Sequence, residues 1–303
     1  MIAILGGLGA ASCFAIAALC ASSSSRKIGA PSTLAWVMAL GLCVLVVPLA
    51  LAGHPSHLSG NTVALLCIAG FSNVVGLLLE YVAFRHVAVG IVSAIASTEG
   101  MFAAVLSSLF GAPLATSTII LLVVITFGVV LAAAHLDPPG DNTTTPQAKD
   151  GLRSSSARAM GRLNGTLTRS ALFVVPVAVL FGITLYATGR AGTQVPVIWA
   201  ILPARLFGTV LITAPLLLRR KLRISRRTFP LVLSGGVAEV VGLVSYTFGA
   251  RHQLAVAAVL ASQSAAITPI AAFFLFGDRL RRHQVIGVAI VVAGVVTLSA
   301  LRS

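Results

Sequence analysis

Charge is scarce in this chain: 9% of its 303 residues are Asp, Glu, Lys or Arg, and only seven are acidic. A soluble domain carries about 25%. With 57% hydrophobic residues and a mean hydropathy of +1.01, the chain has more apolar surface than a soluble core of its length can hide. It reads as an all-α polytopic membrane protein. The net charge of +14 would point to nucleic acid in a soluble domain. Here the basic residues sit in short stretches between apolar runs, where membrane lipids and the insertion machinery read them. Aromatic residues are few, at 6%. The four cysteines, Cys13, Cys20, Cys43 and Cys67, lie in or beside apolar runs, with neither metal-site spacing nor the placement of a disulfide framework. They read as small packing residues. His54 and His57 form a lone His-x-x-His in a loop, too little for a metal site. No cofactor is called for. The first apolar run starts at Ile2 without a basic leader or a small-residue cleavage site, and reads as a span rather than a removed signal peptide.

What is abundant is membrane-length apolar sequence. A crossing helix needs ~20 mostly apolar residues. Ten pieces of that kind lie at 2–20, 32–52, 62–84, 87–110, 115–134, 170–188, 195–218, 229–249, 253–276 and 283–301. Residues 135–169 are the one long polar stretch, a flexible linker between a first half (1–134) and a second (170–303). The sequons at Asn142 and Asn164 carry no weight there. Most of the 21 Lys and Arg fall in alternate loops: around Arg26, at Arg85, in the linker, at Arg219–Arg227 and at Arg279–Arg282. The positive-inside rule puts those loops in the cytoplasm and both termini outside.

Residues 74–134 overlay 240–300 without a gap at a separation of 166. Val74-Val75-Gly76-Leu77 falls on Val240-Val241-Gly242-Leu243, Arg85-His86 on Arg251-His252, Leu109-Phe110-Gly111 on Leu275-Phe276-Gly277, and Gly128-Val129-Val130 on Gly294-Val295-Val296. The chain is an internal duplication. Five spans per half is an odd number, so the second copy enters the bilayer upside down, the signature of a secondary transporter.

Pro269 followed by IAAFFLFGDRLRRHQVIGVAIVVAGV resembles the EamA-like family of the drug/metabolite transporter superfamily, whose repeats carry a proline, an apolar run, Gly-Glu, a polar turn and two spaced glycines. The resemblance extends more weakly to residues 72–134. It implies ten transmembrane helices as two inverted five-helix repeats, with a central cavity lined by helices one, three, four, six, eight and nine. This chain departs from the pattern at Asp278, which replaces the usual Glu, at Ala112, the matching position of the first copy, and at Ala103, opposite Pro269. The resemblance also implies cytoplasmic termini, opposite to the charge count. Gly287 and Gly294 resemble the packing heptad of single-repeat relatives and point to a seam between helices five and ten. Asp278 with Arg279, Arg281, Arg282 and His283 reads as a structural capped turn.

A carboxylate inside the membrane is costly, so an intramembrane acid is by default a functional candidate. Glu239 and Glu99 fall near mid-bilayer; Glu80 falls near the end of helix three, beside Arg85, within reach of water or headgroups. Asn73, Gly76 and Glu80 map onto Glu239, Gly242 and Tyr246, a polar and small stripe at i, i+3 and i+7 that suits a cavity wall. The competing reading is a packing seam. Ser97 and Thr98 map onto Gln263 and Ser264; Ser93 and Ser97 share a face, from which Glu99 stands ~200° away on a continuous helix. On that geometry Glu99 faces a neighbouring helix and ranks below Glu239. Arg205, deep in a span, requires a carboxylate partner, either Glu239 or a carboxylate of the substrate. Trp36 and Trp199 read as interfacial anchors.

These features point to a secondary active transporter of a small organic metabolite or drug in the plasma membrane, the bacterial inner membrane. It works as an exporter by alternating access, and protonation of Glu239, with or without Glu99, couples to the substrate. Uncoupled facilitation is the alternative within the class, and a polytopic membrane enzyme or lipid-processing protein the alternative outside it. No catalytic cluster of His, Asp, Cys or Ser supports the enzyme. Helices one and six hold no acid, so the first-helix carboxylate mechanism of single-repeat exporters does not transfer.

Overall fold

The computed structural model describes residues 1–53, 55, 58–86, 89–110, 116–133, 174–264, 267 and seven positions between 286 and 297. The linker with Asn142 and Asn164, His54, His57, Ala112, and the segment from Pro269 through Asp278, Arg279, Arg281, Arg282 and His283 lie outside these. Among the described residues there are helices and no strands. Lipid offers no hydrogen bonds, so an apolar segment crossing it must satisfy its backbone internally. Six helices among the described residues are long and apolar enough to cross a membrane.

In chain order the helices are α1 (Ile2–Ile28), α2 (Ala30–Leu51), α3 (Gly60–His86), α4 (Val89–Ala96), α5 (Glu99–Phe110), α6 (Thr116–Ala133), α7 (Val174–Gly192), α8 (Val197–Leu218) and α9 (Phe229–Ala261). Gly29, at φ 89°, makes the reversal between α1 and α2 in a region closed to most side chains. Pro31 and Pro230 occupy first turns, where a missing N–H costs nothing. Basic residues close α1 (Arg26, Lys27) and α3 (Arg85, His86), where they complement the helix dipole. The α8 rod includes a π-helical turn, Thr209–Thr213, just beyond Arg205.

Two segment boundaries differ from the sequence reading. The span expected at 87–110 is two helices, α4 and α5, separated by a turn at Ser97–Thr98. There the Thr98 hydroxyl donates to Ile95 O at 2.8 Å and the Thr98 N–H turns back on the same carbonyl at 3.1 Å. Local bonds of this kind compete with the helical ladder. In the second half, the spans expected at 229–249 and 253–276 meet in α9, broken at Gln253 (φ −154°, ψ 96°). The helix then ends at Ala261, close to the point equivalent to the break after α4.

Close contacts fix how the helices run. Gly6 of α1 lies on Gly249 of α9, Gly9 on Ser245, and Phe14 on Gly242; Cys20 Sγ lies 3.5 Å from Ser234 Oγ. The two helices are therefore antiparallel. Along α3 and α7 the series is Thr62 with Gln194, two residues beyond α7, Ser72 with Thr184 at 2.9 Å, and Gly76 with Phe181, again antiparallel. Between α2 and α8, Trp199 Nε1 donates to Gly53 O at 2.9 Å, Arg205 packs on Gly41, Gly208 receives Met38, and Thr213 Oγ1 donates to Ala35 O at 2.9 Å. Gly128 of α6 lies on Gly287 and Ile290, and Gly294 on Ile125, so the described residues contain the seam expected between helices five and ten. Trp36 Nε1 donates to Arg223 O at 3.1 Å; both tryptophans thus tie a span end to a loop or helix-end carbonyl.

Direct cross-linking checks the α1–α9 register. With the other cysteines replaced by alanine, Ser234→Cys forms a reducible disulfide with Cys20 on mild oxidation, whereas Gly249→Cys does not. Cross-linking of Cys20 to position 249 in place of 234 would require parallel helices.

Candidate functional site

Several polar residues of the spans converge on one cavity of about 80 Å³. Its wall takes Phe14, Ala17 and Ala18 from α1, Asn73, Leu77, Glu80 and Tyr81 from α3, and Ser93 and Ala96 from α4. Ser97 from the following turn, Glu99 from α5, Phe181, Thr184 and Leu185 from α7, Glu239 and Leu243 from α9, and Ser264 complete it. Glu80, Glu99, Glu239 and Asn73 are all buried.

The break after Ala96 resets the helical register. Ser93, Ser97 and Glu99 consequently face one cavity, and the expectation that Glu99 points away, drawn for an unbroken helix, does not hold. Glu80 is corrected too: it is 9% exposed and lines the cavity among the helices rather than standing open to water, six residues before the end of α3.

Arg205, 0% exposed, has its partner within the protein: Nη2 lies 3.2 Å from Glu239 Oε1. Nη1 faces Met38 Sδ at 3.5 Å, and the stem packs over Gly41. The guanidinium reaches Glu239 from behind and is absent from the cavity wall. A buried charge left alone costs several kcal/mol, so each member of this pair holds the other in place.

Gly76 and Gly242 act beneath the wall. A Cβ on Gly76 would come within 2.7 Å of the Phe181 ring, and one on Gly242 within 2.6 Å of Phe14. The glycines thus set the depth of two rings that line the cavity. Tyr246 is fully buried and donates to Leu185 O at 2.6 Å, bracing the wall without joining it. Gln263 is buried, donates Nε2 to Val259 O at 3.0 Å, and also lies outside the wall. The sequence reading missed Phe14, Tyr81, Phe181 and Thr184. Apolar and aromatic residues in apolar helices carry no mark of facing a cavity; the glycines spaced against them were the available signal.

These features define a multi-pass α-helical membrane protein with a carboxylate-lined cavity enclosed by several helices. The chain belongs to the EamA-like transporter family, whose model matches residues 1–134 and 168–300. Members of this family are transporters rather than enzymes. It is also similar to a protein of known crystal structure, with a TM-score of 0.73 and 15% identity over 99% of this chain and 98% of that one; at that identity the likeness is one of fold. No curated protein matches it.

Removing one member of the buried pair exposes its energetics. Glu239→Gln leaves Arg205 without a counter-charge and lowers stability by about 3–5 kcal/mol, read as a fall in Tm in nanodiscs. Adding Arg205→Met, the residue type already present at Met38, restores most of it. Equal Tm values for the single and double variants would deny the pairing.

Proposed function

We propose that the protein is a secondary active transporter that exports a small organic metabolite or drug across the plasma membrane, the bacterial inner membrane, by rocking two inverted five-helix repeats around the cavity. The observation that carries this reading is the convergence of Glu80, Glu99, Glu239 and Asn73, contributed by both halves, on one buried space. Lipid-facing helices gain nothing from such groups, and structural seams seldom need acids at mid-depth. Ten helices in inverted repeats are supported by the antiparallel runs of α1 on α9, α3 on α7 and α2 on α8, and by equivalent positions facing each other. Phe14 rests on Gly242 of the other half, and Phe181 on Gly76. Alternating access suits a duplicated fold because exchanging the conformations of the two copies moves the opening from one side to the other.

Proton coupling runs through the cavity carboxyls in this reading, with Glu239 as the coupling residue and Glu99 beside it. The unpaired state of Glu99 favours a share of that role: among the described residues the ion pair present is Arg205–Glu239, and Glu99 has no cationic partner. Orientation follows the positive charge, with the linker and the Arg219–Arg227 loop in the cytoplasm.

Purified protein in sealed vesicles is the test. Flux of a panel of amino acids, purines and drugs identifies at least one solute that crosses chemically unchanged, and an imposed pH gradient accelerates it. Glu239→Gln and Glu99→Gln, studied separately, abolish the acceleration in at least one case. A product differing from the added solute would indicate an enzyme. Flux indifferent to pH in wild type and both variants would establish uncoupled facilitation.

A further inference from the structure

We infer that the cavity is built for a small organic ammonium ion bearing at least one N–H, with Glu80 and Glu99 as its counter-charges and Asn73 as its hydrogen-bond acceptor. The inference rests on the transport reading for the role of the site, but its chemistry is separate.

Consider the charges first. Among the described residues, three carboxyls line the wall and no Lys, Arg or His does. Arg205 balances Glu239 from behind, with Nη2 3.2 Å from Glu239 Oε1 and Nη1 against Met38 Sδ; its Nε is buried without a hydrogen-bond partner, on a guanidinium that does not reach the cavity wall. A substrate carboxylate would have to displace Glu239 and enter against Glu80 and Glu99. That removes the anionic role for which Arg205 is otherwise the candidate. Glu80 and Glu99 have no ion-pair partner among the described residues, so the charge this space lacks is positive. A cation between them regains in Coulomb energy part of the hydration it loses, and hydrogen bonds from its N–H groups supply the rest.

The second observation is independent of the acids. Asn73 is 4% exposed and lines the cavity, yet its Oδ1 has no hydrogen-bond partner. A buried acceptor left empty costs about 1–3 kcal/mol, and an N–H donor in the cavity removes that cost. Quaternary ammonium has no such donor. The remaining surface suits the apolar part of an amine: the rings of Phe14, Tyr81 and Phe181 offer apolar contact and cation–π faces. A cavity of about 80 Å³ favours small solutes over extended ones.

The test uses the full chain in nanodiscs and measures binding calorimetrically with three probes of similar size. They are tert-butylammonium, tetramethylammonium and pivalate. The inference predicts saturable binding of tert-butylammonium, binding of tetramethylammonium weaker by about tenfold for the lost hydrogen bond, and none of pivalate. Glu99→Gln and Glu80→Gln each weaken tert-butylammonium by at least about tenfold. Asn73→Leu brings the two cations to equal affinity, an effect that a merely structural asparagine would not produce. Glu99→Asp, which keeps the charge, retains binding and separates electrostatics from misfolding. Preferential binding of pivalate, or cation binding unchanged in both Gln variants, would overturn the inference. Vesicle flux of any panel solute that tert-butylammonium does not inhibit also overturns it while leaving the transporter standing. Cation binding in a protein that moves no solute supports the inference and removes the transport reading instead.

Discussion

The arrangement depends on a buried guanidinium. Arg205 lies in the interior of a membrane bundle with no exposure, a position that is tolerable only because Glu239 stands 3.2 Å away. Met38, 167 residues away in sequence, meets the guanidinium on another side through its sulfur. The two meet across the line where α2 and α8 run antiparallel, each packed over a glycine, Gly41 and Gly208. The two halves carry unlike residues at overlaid positions, Asn73 against Glu239 and Glu80 against Tyr246, at the separation of 166.

Close helix approach makes the cavity as small as it is. Gly6 and Gly249 bring α1 and α9 into backbone contact, and Gly70 receives Pro203 and Phe207 of α8. In lipid, where apolar burial drives little association between helices, small residues at crossings supply the packing. The rings of Phe14 and Phe181 fill the space left over Gly242 and Gly76, which couples the wall of the cavity to the contact between halves. A shift of one half against the other must move those rings.

Much of this was legible in the sequence. Hydropathy located the six long apolar helices among the described residues, since an apolar run of membrane length has few other fates; it did not show the division at Ser97–Thr98 or the joining of two spans in α9. The overlay at a separation of 166 picked out Asn73, Gly76, Glu80, Glu239, Gly242 and Tyr246 because divergent polar residues stand out against an apolar repeat. A guanidinium deep in a span needs a carboxylate, which left Glu239 or a carboxylate of the substrate as the partner of Arg205, and the structure pairs it with Glu239. The failures have physical causes as well. Glu99 was assigned to the wrong face because a 3.6-residue period carries a register across Ser97–Thr98, where hydroxyl-to-backbone bonds end it. Glu80 was expected within reach of water or headgroups because it stands four residues before the end of the apolar run at 84, yet the neighbouring helices bury it. Phe14, Tyr81 and Phe181 were invisible because an aromatic on a lipid face and one on a cavity face look alike in sequence.

Accessibility of the cavity from the two sides of the membrane tests the central claim most directly. Ala17→Cys in a background without other cysteines places a thiol on the cavity wall, and an impermeant maleimide is applied to right-side-out and to inside-out vesicles. The account predicts modification from both faces, with solute that occupies the cavity slowing both reactions. Reaction from one face only, under every condition of solute and pH, would contradict it, since a cavity that opens to a single side cannot carry anything across.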